Sequence, residues 1–203
     1  MRVTGVIQAG GKSTRMGGRP KALIELGGRR IIERVVDAVA PAVSNLIIVT
    51  NTPELYAFLG LSMVADVYPD RGSLGGIYSG LKAAAGEAAF TVACDMPFLH
   101  PEVVRLVVDR AESGDVVIPR VGGQLETLHA AYAKSCLPHI EERLVAGRLK
   151  IVEFFPRVRV VEIPEAEIAR HRDPAIVFMN VNTPDELDRA EVLAAHLSQA
   201  THG

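Results

Sequence analysis

Short apolar runs recur along the chain, each bounded by glycine, proline or polar residues, and between them apolar residues return every three or four positions. The runs at 3–9, 46–50, 61–65, 88–94, 115–119 and 158–163 read as buried strands, because they are too short and too uniformly apolar for amphipathic helices. Helical spacing predicts helices over 30–40, 77–85, 102–112, 135–146 and 164–170. In the first of these Ile31, Val35 and Val39 share a face with Ile32 and Val36, and Pro41 stands just beyond its end. Thr52 before Pro53 predicts the capped start of a short helix, and 151–155 reads as a short helix or turn. Gly122 and Gly123 mark a turn before an extended stretch at 126–132. Residues 176–179 read as a last strand, followed by the capping box Thr183 to Glu186 with Pro184 at its first helical position. Strands alternating with helices predict parallel βαβ units and a sheet covered on both faces, an α/β fold. No repeat or linker divides the chain. One domain is expected over 1–193, with 194–203 a frayed or disordered tail.

Composition narrows the classes. At 203 residues and 48% hydrophobic content, the chain can bury one sizeable core. Its 22 basic and 24 acidic side chains leave a net charge of −2, which gives no general attraction to nucleic acid or to an anionic membrane. No apolar run approaches a membrane span and no apolar signal region follows the N-terminus, so a cytoplasmic protein is expected. Cys94 and Cys136 lack zinc-site or disulfide-framework spacing and read as buried thiols.

The chemistry concentrates where the first strand ends. Residues 8–21 run Gln8, Ala9, Gly10, Gly11, Lys12, Ser13, Thr14, Arg15, Met16, Gly17, Gly18, Arg19, Pro20, Lys21. Glycines there can bring backbone N–H groups against a ligand, and four cations surround them, so a polyphosphate is the natural guest. Five residues separate Gly5 from Gly11 where a P-loop has four, and Lys12 occupies the second glycine of a dinucleotide fingerprint, so neither familiar motif is present. Two further places face the same way. Asp66 opens a glycine-rich segment, 66–77, and Asp95 ends the apolar run 88–94. Ligands of open α/β sheets sit outside the carboxyl ends of strands, so the first loop, Asp66 and Asp95 are expected to share a crevice.

The run Ala9 to Gly17 followed by Lys21 resembles the signature loop of nucleotidyltransferases that activate sugars and cofactors with a nucleoside triphosphate. Together with Asp66, Asp95 and the segment Asn180, Val181, Asn182, Thr183, Pro184, it is most similar to the molybdenum cofactor guanylyltransferases, over residues 3–193. The resemblance implies a three-layer α/β/α nucleotidyltransferase (Rossmann-like) fold with a mostly parallel sheet. It implies an enzyme that joins GMP from GTP to molybdopterin. By the same resemblance Gln8, Ala9, Gly10, Gly11, Lys21, Asn51, Asp66 and Asp95 line the GTP site, and Asn180 and Asn182 meet the molybdopterin or the metal shell. His129 and Arg71 are weaker candidates near the second substrate. Molybdoenzymes or other cofactor-biosynthesis proteins are the expected partners.

Nucleotide transfer needs in-line attack on the α-phosphorus and cations to neutralise the phosphates. Mg²⁺ suits this, because it takes few carboxylates together with phosphate oxygens and water. Asp95 is its best ligand, since a carboxylate ending an apolar strand is costly unless it serves something, although capping before Pro97 competes as an explanation. Arg15 and Lys21 are expected to hold the β- and γ-phosphates. Three positions depart from the family: Gln8 stands where leucine is usual, Pro20 where an aspartate often precedes the lysine, and Ser73 where a proline is expected. The alternatives are the same chemistry with CTP, another phosphorylated acceptor such as a sugar phosphate, or a degenerate, non-catalytic cofactor-binding module.

Overall fold

Alternate residues of the strand β1 (Val3–Gln8) face two separate cores, Val3 and Ile7 on one side and Val6 on the other. That period of two is what a strand with both faces covered requires. The computed structural model describes residues 1–10 and 20–200. After β1 come the small antiparallel hairpin β2 (Glu25–Leu26) and β3 (Arg29–Arg30), then α1 (Ile31–Val39), β4 (Asn45–Val49) and β5 (Ser62–Val64). There follow α2 (Gly72–Ala83), β6 (Ala88–Ala93), α3 (Pro101–Val108), β7 (Val116–Val121), β8 (Gln124–Leu125) and β9 (His129–Ala133). The chain closes with α4 (Leu137–Val145), β10 (Val160–Pro164), α5 (Glu165–Ile168), α6 (Pro174–Val177) and α7 (Pro184–Ala200).

The main sheet runs β10-β7-β9-β6-β1-β4-β5, with β8 hairpinned onto β7. β6, β1, β4 and β5 pair in parallel, as do β10 and β7. β9 is antiparallel to both its neighbours. One face of the sheet is covered by α1 and α3, with α7 beyond them, and the other by α2, α4 and the 3-10 segment Ile151–Arg157. This is the expected three-layer α/β/α fold with a mostly parallel sheet.

Four expectations need correction. The second helix begins at Gly72 rather than at Ile77, so the glycines of that segment lie inside the helix. Tertiary packing overrides their poor propensity: a Cβ on Gly80 would lie 2.3 Å from Val6 Cγ1, and one on Gly76 2.4 Å from Gln8 Oε1. Only glycine lets α2 approach β1 this closely. Residues 176–179 are not a strand: Pro174–Val177 is the helical turn α6, started by Asp173, whose side chain accepts from Ala175 N at 2.9 Å. A short apolar run buries equally well either way, and the cap decides it. Thr52 makes no side-chain capping bond to the 3-10 turn Pro53–Leu55. The expected frayed tail from Ala194 stays helical to Ala200, and Ala194 is buried in the core.

Candidate active site

A cleft of about 330 Å³ opens at the carboxyl ends of β1 and β6. Gln8 pairs with Ala93 in the sheet, so Gly10 and Asp95 leave adjacent strands two residues further on. Cys94 N donates to Gln8 O at 3.2 Å and Ala9 N to Val49 O at 2.9 Å, which carries the backbone pairing past the ends of the strands. The reversed direction of β9 places His129 opposite Val92, and the loop entering β9 therefore reaches the same end of the sheet. From the C-terminal side, Val181 N donates to Asp95 O at 2.9 Å, and buried Val181 anchors the two asparagines that flank it. The cleft thus brings together Gln8, Gly10, Asp95, Asn180 and Asn182. Asn180 and Asn182 come from a loop between α6 and α7, not from the end of the strand expected at 176–179.

Lys21 joins the same group from the 3-10 turn Lys21–Leu23. Its Nζ donates to Asn182 Oδ1 at 2.6 Å and stands 3.9 Å from Asp95 Oδ2. The Asp95 side chain is 18% exposed. Burial pushes its carboxyl above the usual aspartate range; the Lys21 ammonium and a backbone hydrogen bond pull it part of the way back, and Glu186 pushes it up again. Glu186 is itself occupied by helix capping, accepting from Asn182 N at 2.7 Å and Thr183 N at 3.0 Å, while Glu186 N donates to Thr183 Oγ1. The capping box read from the sequence is therefore formed.

Asn51 and Asp66 do not line this cleft but lie beside it, past the ends of β4 and β5. Asp66 N donates to Asn51 Oδ1 at 3.0 Å. The Ser79 hydroxyl accepts from Val67 N at 2.9 Å and has Gly75 O at 2.8 Å and Asp66 Oδ1 at 3.2 Å as acceptors for its proton. Burial raises the Asp66 carboxyl and the Ser79 contact lowers it again in part. Ala9 is buried. Arg15 and Gly11 lie outside the described residues, as do Lys12 and Arg19.

Two weaker candidates are displaced. His129 is fully buried, edge-on to Phe90 and Phe178 with ring centroids 5.0 Å away on each side. Burial lowers its imidazole to about 3, so it is a neutral core residue. Arg71 does not line the cleft, and its guanidinium points towards Gly147. Conversely, Ser73, Met96, Glu126 and Thr127 line the cleft without having been singled out for chemistry. Ser73, which stands where the family is expected to have a proline, sits in the first turn of α2 at the cleft wall. Glu126 carried no comparable signal: it stands between Leu125 and Thr127 rather than at the end of an apolar run, as Asp95 does.

A glycine- and cation-rich sequence after β1, a lysine paired with an aspartate at the end of β6 and a three-layer α/β/α frame define a nucleotidyltransferase-type protein. The MobA-like NTP transferase domain matches residues 5–158, and the chain belongs to that family. The probable molybdenum cofactor guanylyltransferase of Pelotomaculum thermopropionicum is 41% identical over 194 residues, spanning 96% of this chain and 94% of that protein. The molybdenum cofactor guanylyltransferase of Desulfosudis oleivorans is 42% identical over 191 residues, spanning 93% and 94%. Among solved structures, the molybdopterin-guanine dinucleotide biosynthesis protein A of Archaeoglobus fulgidus superposes with a TM-score of 0.83 at 28% identity, covering 96% of this chain and all of that one. Among the described residues no helix is long and apolar enough to cross a membrane.

Proposed function

We propose that the protein transfers GMP from GTP to the terminal phosphate of molybdopterin, releasing pyrophosphate and forming the guanine dinucleotide. The observation that carries this reading is the group Lys21, Asp95 and Asn182, gathered at the ends of β1 and β6 in a chain so closely related to molybdenum cofactor guanylyltransferases. The glycine loop and Arg15 cradle the triphosphate, with Lys21 set against its β- and γ-phosphates. Asn51 and Asp66, braced by Ser79, take the nucleoside; a carboxylate there accepts from the N–H donors of guanine or from the ribose hydroxyls. Asn180 and Asn182 hold the acceptor. The acceptor phosphate, with a second pKa of about 6, is already largely ionised near neutrality, so no general base is required.

The donor set suits Mg²⁺. Asp95 offers a desolvated carboxylate facing the cleft, and Asn182 Oδ1 adds a hard oxygen beside it. No cluster of three or more His, Cys, Asp or Glu able to hold a metal occurs among the described residues, which fits an ion that keeps several waters and shares phosphate oxygens. When bound, the ion neutralises charge developing on the leaving pyrophosphate. Lys21, 3.9 Å from Asp95, favours the ionised form of that carboxylate and so opposes the effect of its burial.

A second reading, CTP in place of GTP, is kept for one reason. Gln8 stands where the family usually has leucine, and its Nε2 is buried with no hydrogen-bond partner among the described residues. Pyrophosphate release from each triphosphate in the presence of molybdopterin separates the two. Turnover of GTP and not of CTP is expected, and the reverse rejects the guanylyl assignment. The proposed setting is the cytoplasm, with molybdoenzymes or other cofactor-biosynthesis proteins receiving the product.

A further inference from the structure

The wall of the cleft across from Gly10 carries an acid that the proposed reaction leaves unused. Glu126 belongs to the loop between β8 and β9 and lines the cleft with Leu125, Thr127 and Leu128. Both of its main-chain groups are taken: its N–H donates to Pro119 O at 3.0 Å, and its carbonyl accepts from His129 N at 3.0 Å. Its side chain is half-buried and makes no hydrogen bond or ion pair among the described residues, so it is the part of the residue left to meet a ligand. A desolvated carboxylate without a partner is costly, and burial alone raises its carboxyl above the usual glutamate range.

Position says which ligand. In the sheet, β9 lies on one side of β6, while β1, β4 and β5, which lead to Gly10, Asn51 and Asp66, lie on the other. Asp95 leaves β6 between them. In-line displacement puts the attacking group and the departing pyrophosphate on opposite sides of the α-phosphorus, so the acceptor must come from the β9 side. A carboxylate there repels phosphate and suits the other end of the acceptor, its ring. We propose that Glu126 recognises the acceptor heterocycle, its two oxygens accepting adjacent N–H donors from a 2-amino-4-oxo pyrimidine edge. Pterin and guanine share that edge; the separation across β6 assigns Glu126 to the pterin.

This rests on the proposed acceptor, and binding tests it without turnover. The probes are pterin itself, followed by its own fluorescence, its analogue with oxygen in place of the 2-amino group, and GTP with Mg²⁺. Wild-type protein should bind pterin more tightly than the analogue. Glu126→Gln should weaken pterin binding by about tenfold or more, the loss of a hydrogen bond to a charged group, and erase the preference over the analogue. GTP affinity should change less than about twofold, within the range of an uninvolved surface change. Glu126→Asp, which keeps the charge, should retain part of the preference and serves as the test if the glutamine variant does not fold. Equal wild-type affinity for pterin and analogue, no wild-type affinity for pterin, or a parallel loss of GTP affinity overturns the assignment. If GMP transfer proceeds normally while the pterin preference is absent, this inference alone falls; if the preference is present but no GMP is transferred, the proposed reaction falls.

Discussion

The two halves of the sheet hold their carboxylates in different ways. On the parallel side, β5, β4 and β1 deliver Asp66 already tied down, its backbone to Asn51 and its side chain to Ser79 of α2, whose hydroxyl also contacts Gly75 O one turn back. On the antiparallel side, a tight hairpin and the reversed β9 deliver Glu126 with its backbone fixed and its carboxylate untied. A pre-bonded acid has fewer acceptor sites left and a set orientation, as suits a site that takes one rigid nucleoside. An untied acid in a half-dry wall keeps its full acceptor capacity for the acceptor proposed above. Asp95 stands at the seam, desolvated like Glu126 but steadied by Lys21.

The largest test addresses the seam. Asp95→Asn keeps the size of the side chain and removes its charge, and kcat should fall on the order of a thousandfold, comparable to losing a principal electrostatic stabiliser. Folding, followed by circular dichroism, should be intact. Retention of more than about a tenth of the activity would remove Asp95 from the reaction and leave the two halves without a shared centre.

The parallel half can be broken through its packing. Gly80→Ala would gain about 1 kcal/mol in an exposed helix, but its Cβ would meet Val6 Cγ1 at 2.3 Å in the buried face of β1. The expected result is a net loss of about 1–3 kcal/mol in denaturant unfolding, with the KM for GTP rising more than that for the acceptor. A more stable variant would mean that α2 and β1 can part without cost.

The same contrast explains what was legible in the sequence. The parallel half announces itself: short apolar strands, a glycine and cation loop, and acids where strands end. The antiparallel half does not, because an extended stretch such as 126–132 carries no mark of strand direction, and direction alone brings Glu126 to the cleft. Asn180 and Asn182 were found through a motif although the strand assumed to present them is a helical turn, since burial of Val177 and Phe178 satisfies either form. His129 misled for the opposite reason: a polar residue beside a motif, with a core of aromatic edges around it that no local pattern shows.

Ser79→Ala sharpens the comparison more gently. It leaves Val67 N without its acceptor and frees Asp66, so stability should fall by about 1–2 kcal/mol and the KM for GTP should rise several-fold. The acceptor KM should stay put. Equal changes in both constants would show that Asp66 does not belong to the nucleoside side alone.

The smallest effect is a pH dependence at the seam. Asp95 titrates above the ordinary aspartate range in the folded protein, chiefly through burial, with Lys21 and a backbone hydrogen bond opposing and Glu186 reinforcing. A carboxyl raised by folding contributes stability that is fully present below its unfolded pKa and is lost as pH rises through the folded value. At neutral pH the wild-type protein therefore bears the cost of a desolvated charge that Asp95→Asn does not carry. The variant should melt slightly higher than wild type at pH 7, and its advantage should shrink as pH falls through the carboxylate range. Asp66 and Glu126 are raised by burial as well, but they titrate in both proteins and cancel in the difference. Thermal melts of the two proteins across that range, without nucleotide or metal, give the sign directly. A variant that melts lower at pH 7 and converges with wild type in acid would mean that attraction to Lys21 outweighs desolvation, making Asp95 a tied acid like Asp66 rather than one held open for a ligand.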